Sequence, residues 1–185
     1  MGAACGGAQL DDVGPRPAVI LITVDTLRPD HLGCYGYERD VSPNIDQLAA
    51  DGTRFDNAVT PRPLTAPSMA SALTGLNANK HGEWTNRTLL DDSLVTLAER
   101  LRVQGNDTAA FISNYVLIHE LSNLQQGFGL FDDRLPRREL NRDSYERLAE
   151  ATVGEALTWL GAREVNSPPF LWVHLMDPHG PYTPP

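Results

Sequence analysis

Apolar positions along the chain fall into two patterns. Three short stretches, residues 18–24, 108–113 and 169–175, are apolar almost throughout and rich in β-branched or aromatic side chains. Runs of that length, bounded by turn residues, predict strands buried on both faces of a parallel sheet. The first is expected at the centre of a covered sheet and ends at Asp25. Other segments carry apolar residues at helical spacing. Residues 43–51 place Ile45, Leu48 and Ala49 on one face, between Ser42 as N-cap, Pro43 in the first turn and Gly52 as the stop. Residues 93–103 place Leu94, Leu97, Ala98 and Leu101 on one face and close at Gly105. A longer helix is expected over 144–162, with Leu148, Thr152, Ala156, Leu157 and Leu160 inward. Between these, a proline-rich loop leads into a helix near Pro67 that runs through Ala72 and stops at Gly75, and 53–59 reads as a short strand or extended loop.

Strands alternating with helices predict an α/β fold with helices on both faces of a largely parallel sheet. Residues 17–185 read as one domain and residues 1–16 as a disordered N-terminal segment. The opening Met1-Gly-Ala-Ala-Cys5 also has the composition that precedes a lipidated cysteine in a bacterial lipoprotein signal, without its charged and apolar parts. That motivates an expectation of export, as a periplasmic, lipid-anchored or extracellular protein. The Pro-rich end directly behind a histidine-containing segment reads as a chain cut short.

Charge narrows the partners. A net charge of −9 argues against a nucleic-acid backbone binder, which needs clustered Lys and Arg. It leaves room for an anionic small molecule at a locally positive site. The longest apolar run is strand-sized, so no transmembrane segment is expected. Cys5 and Cys34 lack the spacing of a zinc site. No Gly-rich phosphate loop is present. The acidic pairs at 11–12, 91–92 and 132–133 read as solvated loops.

In open α/β sheets the ligand crevice lies at the carboxyl ends of the strands. There the chain sets Asp25 after the first strand and His174, Asp177 and His179 along and after the last. Thr65, two residues before Pro67, falls at a helix N-terminus, where free N–H groups and the helix dipole favour anions. On local sequence alone Thr65 reads as a helix cap. His31 and His119 read as surface residues, and His81, in a His-Gly step, as a turn residue. Asn114 at a predicted strand end is a minor candidate, and the three tryptophans read as packing residues.

Three ordered segments change the weight on Thr65. Residues 19–36 with Asp25, Arg28 and Gly33, followed by Ser42-Pro-Asn44-Ile-Asp46, resemble the opening strand, metal-binding aspartate and helix of the alkaline-phosphatase superfamily, especially its sulfatase-like branch. Thr65-Ala-Pro67-Ser68, Thr74-Gly75 and Lys80-His81-Gly82 are similar to the sulfatase signature. Phe170 to His174, then Asp177-Pro178-His179 and Pro181-Tyr182, resemble the strand and histidine loop that reach the substrate anion. The resemblance spans residues 17–185. It implies an alkaline-phosphatase-like three-layer α/β sandwich, incomplete at its C-terminus. It implies hydrolysis of sulfate or phosphate esters with a divalent metal, with Ca, Mn, Mg and Zn left open. By position it implies Asp25 as metal ligand, Thr65 as nucleophile and ligand, and His174, His179 and Arg28 as substrate contacts. The implied partner is an anionic ester small molecule, a glycan or a lipid head group.

The chain departs from that pattern in ways that matter. Threonine at 65 is a secondary alcohol and cannot give the formylglycine aldehyde of authentic sulfatases. Met69 stands where an arginine is expected, and Thr26 where a second aspartate is expected. The remaining metal ligands are expected beyond Pro185. Threonine nucleophiles of this superfamily attack phosphorus, so the chemistry leans towards phosphoryl transfer. A phosphotransferase passing its group to a lipid or glycan, and a non-catalytic fragment, are the alternatives.

Overall fold

The last strand of the chain is its most deeply buried, because it lies between two others. In the computed structural model, which describes residues 17–138, 145–164 and 166–180, β6 (Pro169–Leu175) pairs in parallel with β1 (Val19–Val24) on one side and β2 (Asp107–Ile112) on the other. A short β3 (Leu130–Asp132) pairs in parallel with β2, giving the order β1-β6-β2-β3. The register sets His174 opposite both Thr23 and Ile112.

Alternation sorts side chains onto two faces. Ala110 and Ile112 of β2, with Phe170 and Trp172 of β6, pack on Ala66, Ala70 and Leu73 of helix α2 (Thr65–Thr74) and on Ala98 of α4 (Leu97–Val103). Ala109, Phe111, Leu171 and Val173 face the other way and pack on Ala156, Trp159 and Leu160 of α6 (Ala149–Ala162). The result is a three-layer α/β sandwich on a parallel sheet of four strands. Two short helices, α3 (Ala78–His81) and α5 (His119–Ser122), and the helix α1 (Pro43–Asp51) complete it, with a two-residue ribbon at 137–138 and 145–146. No described helix is long and apolar enough to cross a membrane.

Several expectations need correction. β1 is not central among the described residues: it is the edge of the sheet, and Ile20 and Ile22 are 55% and 59% exposed on the face that α6 covers only at β2 and β6. The helix expected from residue 93 begins at Leu97, because Thr96 and Glu99 form a capping box in which each side chain accepts from the other's N–H, at 3.2 and 2.7 Å. Gly127 packs against that turn so closely that a Cβ there would fall 2.2 Å from the Glu99 nitrogen. The expected start of the long helix at residue 144 lies outside the described residues, and Leu148 and Leu157, expected inward, are exposed. Ile45 and Leu48 of α1 are exposed as well, and residues 53–59 form no strand. Ser42 precedes α1 without capping its N–H groups: its hydroxyl accepts from Gly33 N–H and donates to Asp46. Cys5, the N-terminal segment and residues 181–185 lie outside the described residues.

Asp132 corrects another expectation. It is not a solvated loop residue but is buried at the end of β3. Arg134 donates to both its carboxylate oxygens at 2.9 and 2.6 Å. Arg147, itself buried, lies 3.1 Å away and also donates to the Ile112 and Asp132 carbonyls. Hydrogen bonds from Arg134 first, with Arg147 adding to them, hold the carboxyl down at about 2 against the opposing effect of burial. A depressed carboxyl stabilises the fold above its unfolded value near 3.8 and loses that contribution as pH falls through about 2. Arg147→Met leaves Asp132 with a weaker set of partners in the interior and is expected to lower unfolding free energy by roughly 3–5 kcal/mol, read by urea unfolding at neutral pH. Stability unchanged to within the error of that measurement would show that the pair does not hold this corner of the fold.

Candidate active site

Three strand ends deliver side chains to one place, and the pleat decides which. Thr23 and Asp25 share a face of β1 and its continuation, as do Ile112 and Asn114 beyond β2, and His174 is on the same face of β6, towards α2. The ladder extends past the strands, since Asp25 N–H donates to the Leu175 carbonyl and Ser113 N–H to the His174 carbonyl. Facing them is the first residue of α2, Thr65.

The hydrogen bonds converge on one carboxylate oxygen. Asp25 Oδ2 accepts from the Thr65 hydroxyl at 3.2 Å and from the Asn114 amide at 2.5 Å, and His174 Nε2 stands 3.7 Å away. Asn114 is itself fixed, because its carbonyl oxygen accepts from Val116 N–H. Burial raises the Asp25 pKa, but the neighbouring His174 ring, the Asn114 hydrogen bond and His179 outweigh it, so the carboxyl titrates below its usual range and is ionised at neutral pH. Directly after it, Thr26 has a positive φ of 54°, a strained conformation for a β-branched residue costing about 1–3 kcal/mol. That strain falls where the chain turns away from the strand into the cavity wall.

His174 is almost completely buried, and its ring is oriented from behind. Trp172 Nε1–H donates to Thr23 Oγ1 at 3.0 Å, and the Thr23 hydroxyl stands 2.8 Å from His174 Nδ1. The competing acceptor for the Thr23 proton, the Val173 carbonyl, is at 3.5 Å. The shorter contact assigns the Thr23 proton to Nδ1, which leaves the His174 proton on Nε2, on the side of Asp25. Nε2 has no protein partner within hydrogen-bond range among the described residues. His179 donates Nδ1–H to the Gly180 carbonyl at 2.7 Å, leaving its Nε2 uncommitted.

A cavity of about 440 Å³ opens on this cluster, within the usual range of about 300–1,000 Å³ for small-molecule sites. Asp25, Thr26, Thr65, Met69, His174 and His179 line it, together with Arg62 and Asn86. The structure therefore brings together four of the five residues singled out in the sequence. The fifth, Arg28, is paired with Asp30 at 2.5 Å on an exposed turn and is not among the lining residues. Asp177 has a different duty: its carboxylate accepts from Ala149 N–H at 2.7 Å, capping α6 from a distance. His119 hydrogen-bonds Asp133 at 2.7 Å beside Glu120 on the surface, away from the cavity.

Asn86 was not legible as a site residue. Its side-chain oxygen accepts from Ala66 N–H at 3.0 Å, taking one first-turn donor of α2. Pro67 has no N–H and Ser68 N–H is bonded to the Leu64 carbonyl, so Thr65 N–H is the donor left at that helix end among the described residues. His81 pins the helix instead of entering the cavity. It accepts from Glu83 N–H at Nδ1 and donates through Nε2 to Ser71, whose hydroxyl donates to the Pro67 carbonyl.

An implied metal can be tested against these donors. Asp25 and the Thr65 hydroxyl offer two adjacent oxygens of the kind a hard divalent ion takes, whereas His174, with its proton on Nε2, offers a donor and not a ligand. Asp25 is the one carboxylate among the described lining residues. The set therefore fits part of a divalent-metal site.

A three-layer sandwich with a hydroxyl on a helix N-terminus beside a strand-end carboxylate defines a class of hydrolases of the alkaline-phosphatase-like superfamily. The chain belongs to the Sulfatase family, whose model matches residues 17–185. It is 27% identical to an N-acetylglucosamine-6-O-sulfatase of Bacteroides thetaiotaomicron over 98% of its own length and 34% of that protein's. It is similar to a solved structure in complex with its substrate D-glucosamine-2-N,6-O-disulfate, with a TM-score of 0.76 and 26% identity, covering 92% of this chain and 36% of that one. The fold is shared too with the phosphonate monoester hydrolase of Agrobacterium radiobacter, at a TM-score of 0.74 and 24% identity over 92% of this chain and 42% of that one. The chain thus spans about a third of the length of the first two of these relatives.

Behind the site lies Glu83, fully buried, with neither carboxylate oxygen bonded among the described residues. Burial pushes its pKa up to about 8, so it is protonated at neutral pH. The folded form then holds a proton that the unfolded form releases near 4.5, and stability falls as pH rises from about 4.5 to about 8. Glu83→Gln removes that dependence. The variant is expected to match wild type near pH 4.5 and to exceed it progressively towards pH 8, by at most about 1.4 kcal/mol per pH unit. Parallel pH profiles for the two proteins in chemical denaturation would sink this account of Glu83.

Proposed function

We propose that this chain carries the nucleophile-bearing part of a metal-dependent hydrolase of sulfate or phosphate esters, with Thr65 as the attacking group. The observation that supports it most directly is the Thr65 hydroxyl on Asp25 Oδ2 at 3.2 Å, in a cavity shared with His174 and His179. Asp25 orients the hydroxyl so that an oxygen lone pair is left for the substrate. Asp25 and Thr65 are also the residues that would hold a divalent ion. When bound, it would lower the hydroxyl pKa and offset charge on the ester.

The balance of the reaction is simple. Thr65 Oγ bonds to the sulfur or phosphorus, the bond from that atom to the ester oxygen breaks, and the alcohol leaves with a proton in place of the one Thr65 gives up. Water then attacks the Thr65 ester, returning the proton to Thr65 Oγ and releasing the inorganic anion. His174, with Nε2–H directed towards Asp25, is positioned to donate to an oxygen of that anion, and His179, whose Nδ1–H is given to the Gly180 carbonyl, can donate from Nε2 in its imidazolium form. Arg28 serves the turn before the first helix in this reading, through Asp30.

Phosphorus is the favoured centre. Formylglycine sulfatases attack through an aldehyde hydrate, which a threonine cannot form, whereas a threonine alcohol can form and release a phosphoester. The relative with a sulfated glucosamine substrate keeps a glycan ester within the class considered. Transfer to an alcohol acceptor in place of water follows the same first step.

In the full-length protein, Thr65→Ala is expected to lower kcat for aryl phosphate and sulfate esters by about a thousandfold or more, with Thr65→Ser retaining part of it. Mass spectrometry of protein quenched during turnover should find the phosphoryl or sulfuryl group on the peptide holding Thr65. Turnover retained in Thr65→Ala would remove the assignment.

A further inference from the structure

Arg62 stands apart from the groups just described, though it lines the same cavity. Its guanidinium carbon lies 5.2 Å from the centre of the Trp84 ring, and its Nη2 donates to the Trp84 carbonyl at 3.2 Å. Its backbone is held as firmly. Thr60 donates its hydroxyl proton to the Arg62 carbonyl at 3.0 Å, and the Ser68 hydroxyl, in the first turns of α2, is 2.8 Å from Thr60 Oγ1. The cation is therefore fixed at both ends relative to the helix that carries Thr65.

What it lacks is an anion. Arg62 makes no ion pair with any carboxylate among the described residues, and its Nε–H is buried without a hydrogen-bond partner. Among the described arginines it is the one whose guanidinium carries a buried, unpartnered N–H. Arg62 is half-buried, and its contacts with the indole and one carbonyl leave the Nε–H unpaired on its buried side. Among the described residues Asp25 is the one carboxylate lining the cavity and Arg62 the one permanent cation, yet the two do not meet within 4.0 Å. Met69, at the position where the signature carries arginine, lines the cavity as well and offers no charge.

We infer that Arg62 is a second anion-recognition point: the substrate carries, on its alcohol portion, an oxyanion separate from the ester group that reaches Thr65. An ester at Thr65 sits against Asp25 and the two histidines, and Arg62 is not paired into that cluster. A ligand that fills the cavity from Thr65 to Arg62 needs a carboxylate, sulfate or phosphate at its far end. The planar guanidinium fork suits such a group, and the stacked indole sets its plane. This rests on the Thr65 reading for which end of the ligand reacts, but not for the binding of the second anion.

The test is calorimetric binding of phenyl phosphate and 3-carboxyphenyl phosphate, and of the matching sulfates, to the full-length protein with Thr65→Ala to prevent turnover. The carboxylated ligand is expected to bind at least tenfold more tightly than its neutral-ring partner. Adding Arg62→Gln should abolish that preference, and adding Arg62→Lys should keep part of it, with thermal unfolding unchanged to show that all variants fold. Equal affinities, binding of neither ligand, or a preference that survives Arg62→Gln overturns the inference. Hydrolysis by the Thr65→Ala protein would instead count against the nucleophile while leaving the Arg62 comparison readable.

Discussion

Because β6 runs parallel to β1 and β2 at once, His174 stands opposite Thr23 on one side and Ile112 on the other. Two residues further along each neighbour are Asp25 and Asn114, on the same face. The Asn114–Asp25 hydrogen bond spans the carboxyl edge of β6 and could not form in another register. A slip of one residue in either pairing would turn His174 to the α6 side and leave the carboxylate without its amide. The site is therefore a consequence of strand pairing first and of loop shape second.

Support then comes from groups behind and beside the reacting side chains. Trp172 and Thr23 orient His174, Asp177 caps α6, and His81 ties Ser71 to the turn that starts α2. Each relay places a buried donor against a specific acceptor, which removes the freedom of a ring or a helix end to settle elsewhere. Asn86 works the same way on Ala66 N–H. Its consequence is less obvious: it consumes a donor that an anion at the helix N-terminus could have used. The helix end alone is thus a poor anion site, and the imidazoles and Arg62 have correspondingly more to do.

Much of this was legible in the chain, for identifiable reasons. β6 was readable to the residue because a strand buried on both faces is apolar along almost its whole length, with His174 the exception that marks the site. Thr65 at the start of α2 followed from Pro67, and Gly75 with its φ of 70° ends the helix as its place suggested. The position of β1 was misread for the same reason that β6 was read well. An apolar strand signals covered faces but not its rank in the sheet, and Ile20 and Ile22 are exposed here. Arg62, Asn86 and Thr23 were missed because their roles depend on partners 22, 20 and 151 residues away, which no local spacing encodes. Asp132 was missed because a buried carboxylate and a loop aspartate look alike until Arg147 is folded against one of them.

The charge on Asp25 sets the remaining condition on any chemistry in this cavity. It is held ionised, and it touches the hydroxyl that an anionic ester would have to approach. Two unit charges about 4 Å apart repel by roughly 4 kcal/mol at an effective dielectric of 20. That penalty alone would slow attack by about a thousandfold. The protein lowers it in part, through His174 and His179, but the two imidazoles carry charge only when protonated. Asp25 and Thr65 would hold a divalent cation through their oxygens, and its charge would offset this repulsion. The same carboxylate that would slow attack on an anionic ester in the bare site would, on the proposed reading, serve as a ligand of the metal that offsets it. An acidic chain is thus compatible with the proposed anionic ligand, and Arg62, in contact with Trp84 and not paired with Asp25 among the described residues, has a charge that this carboxylate does not neutralise.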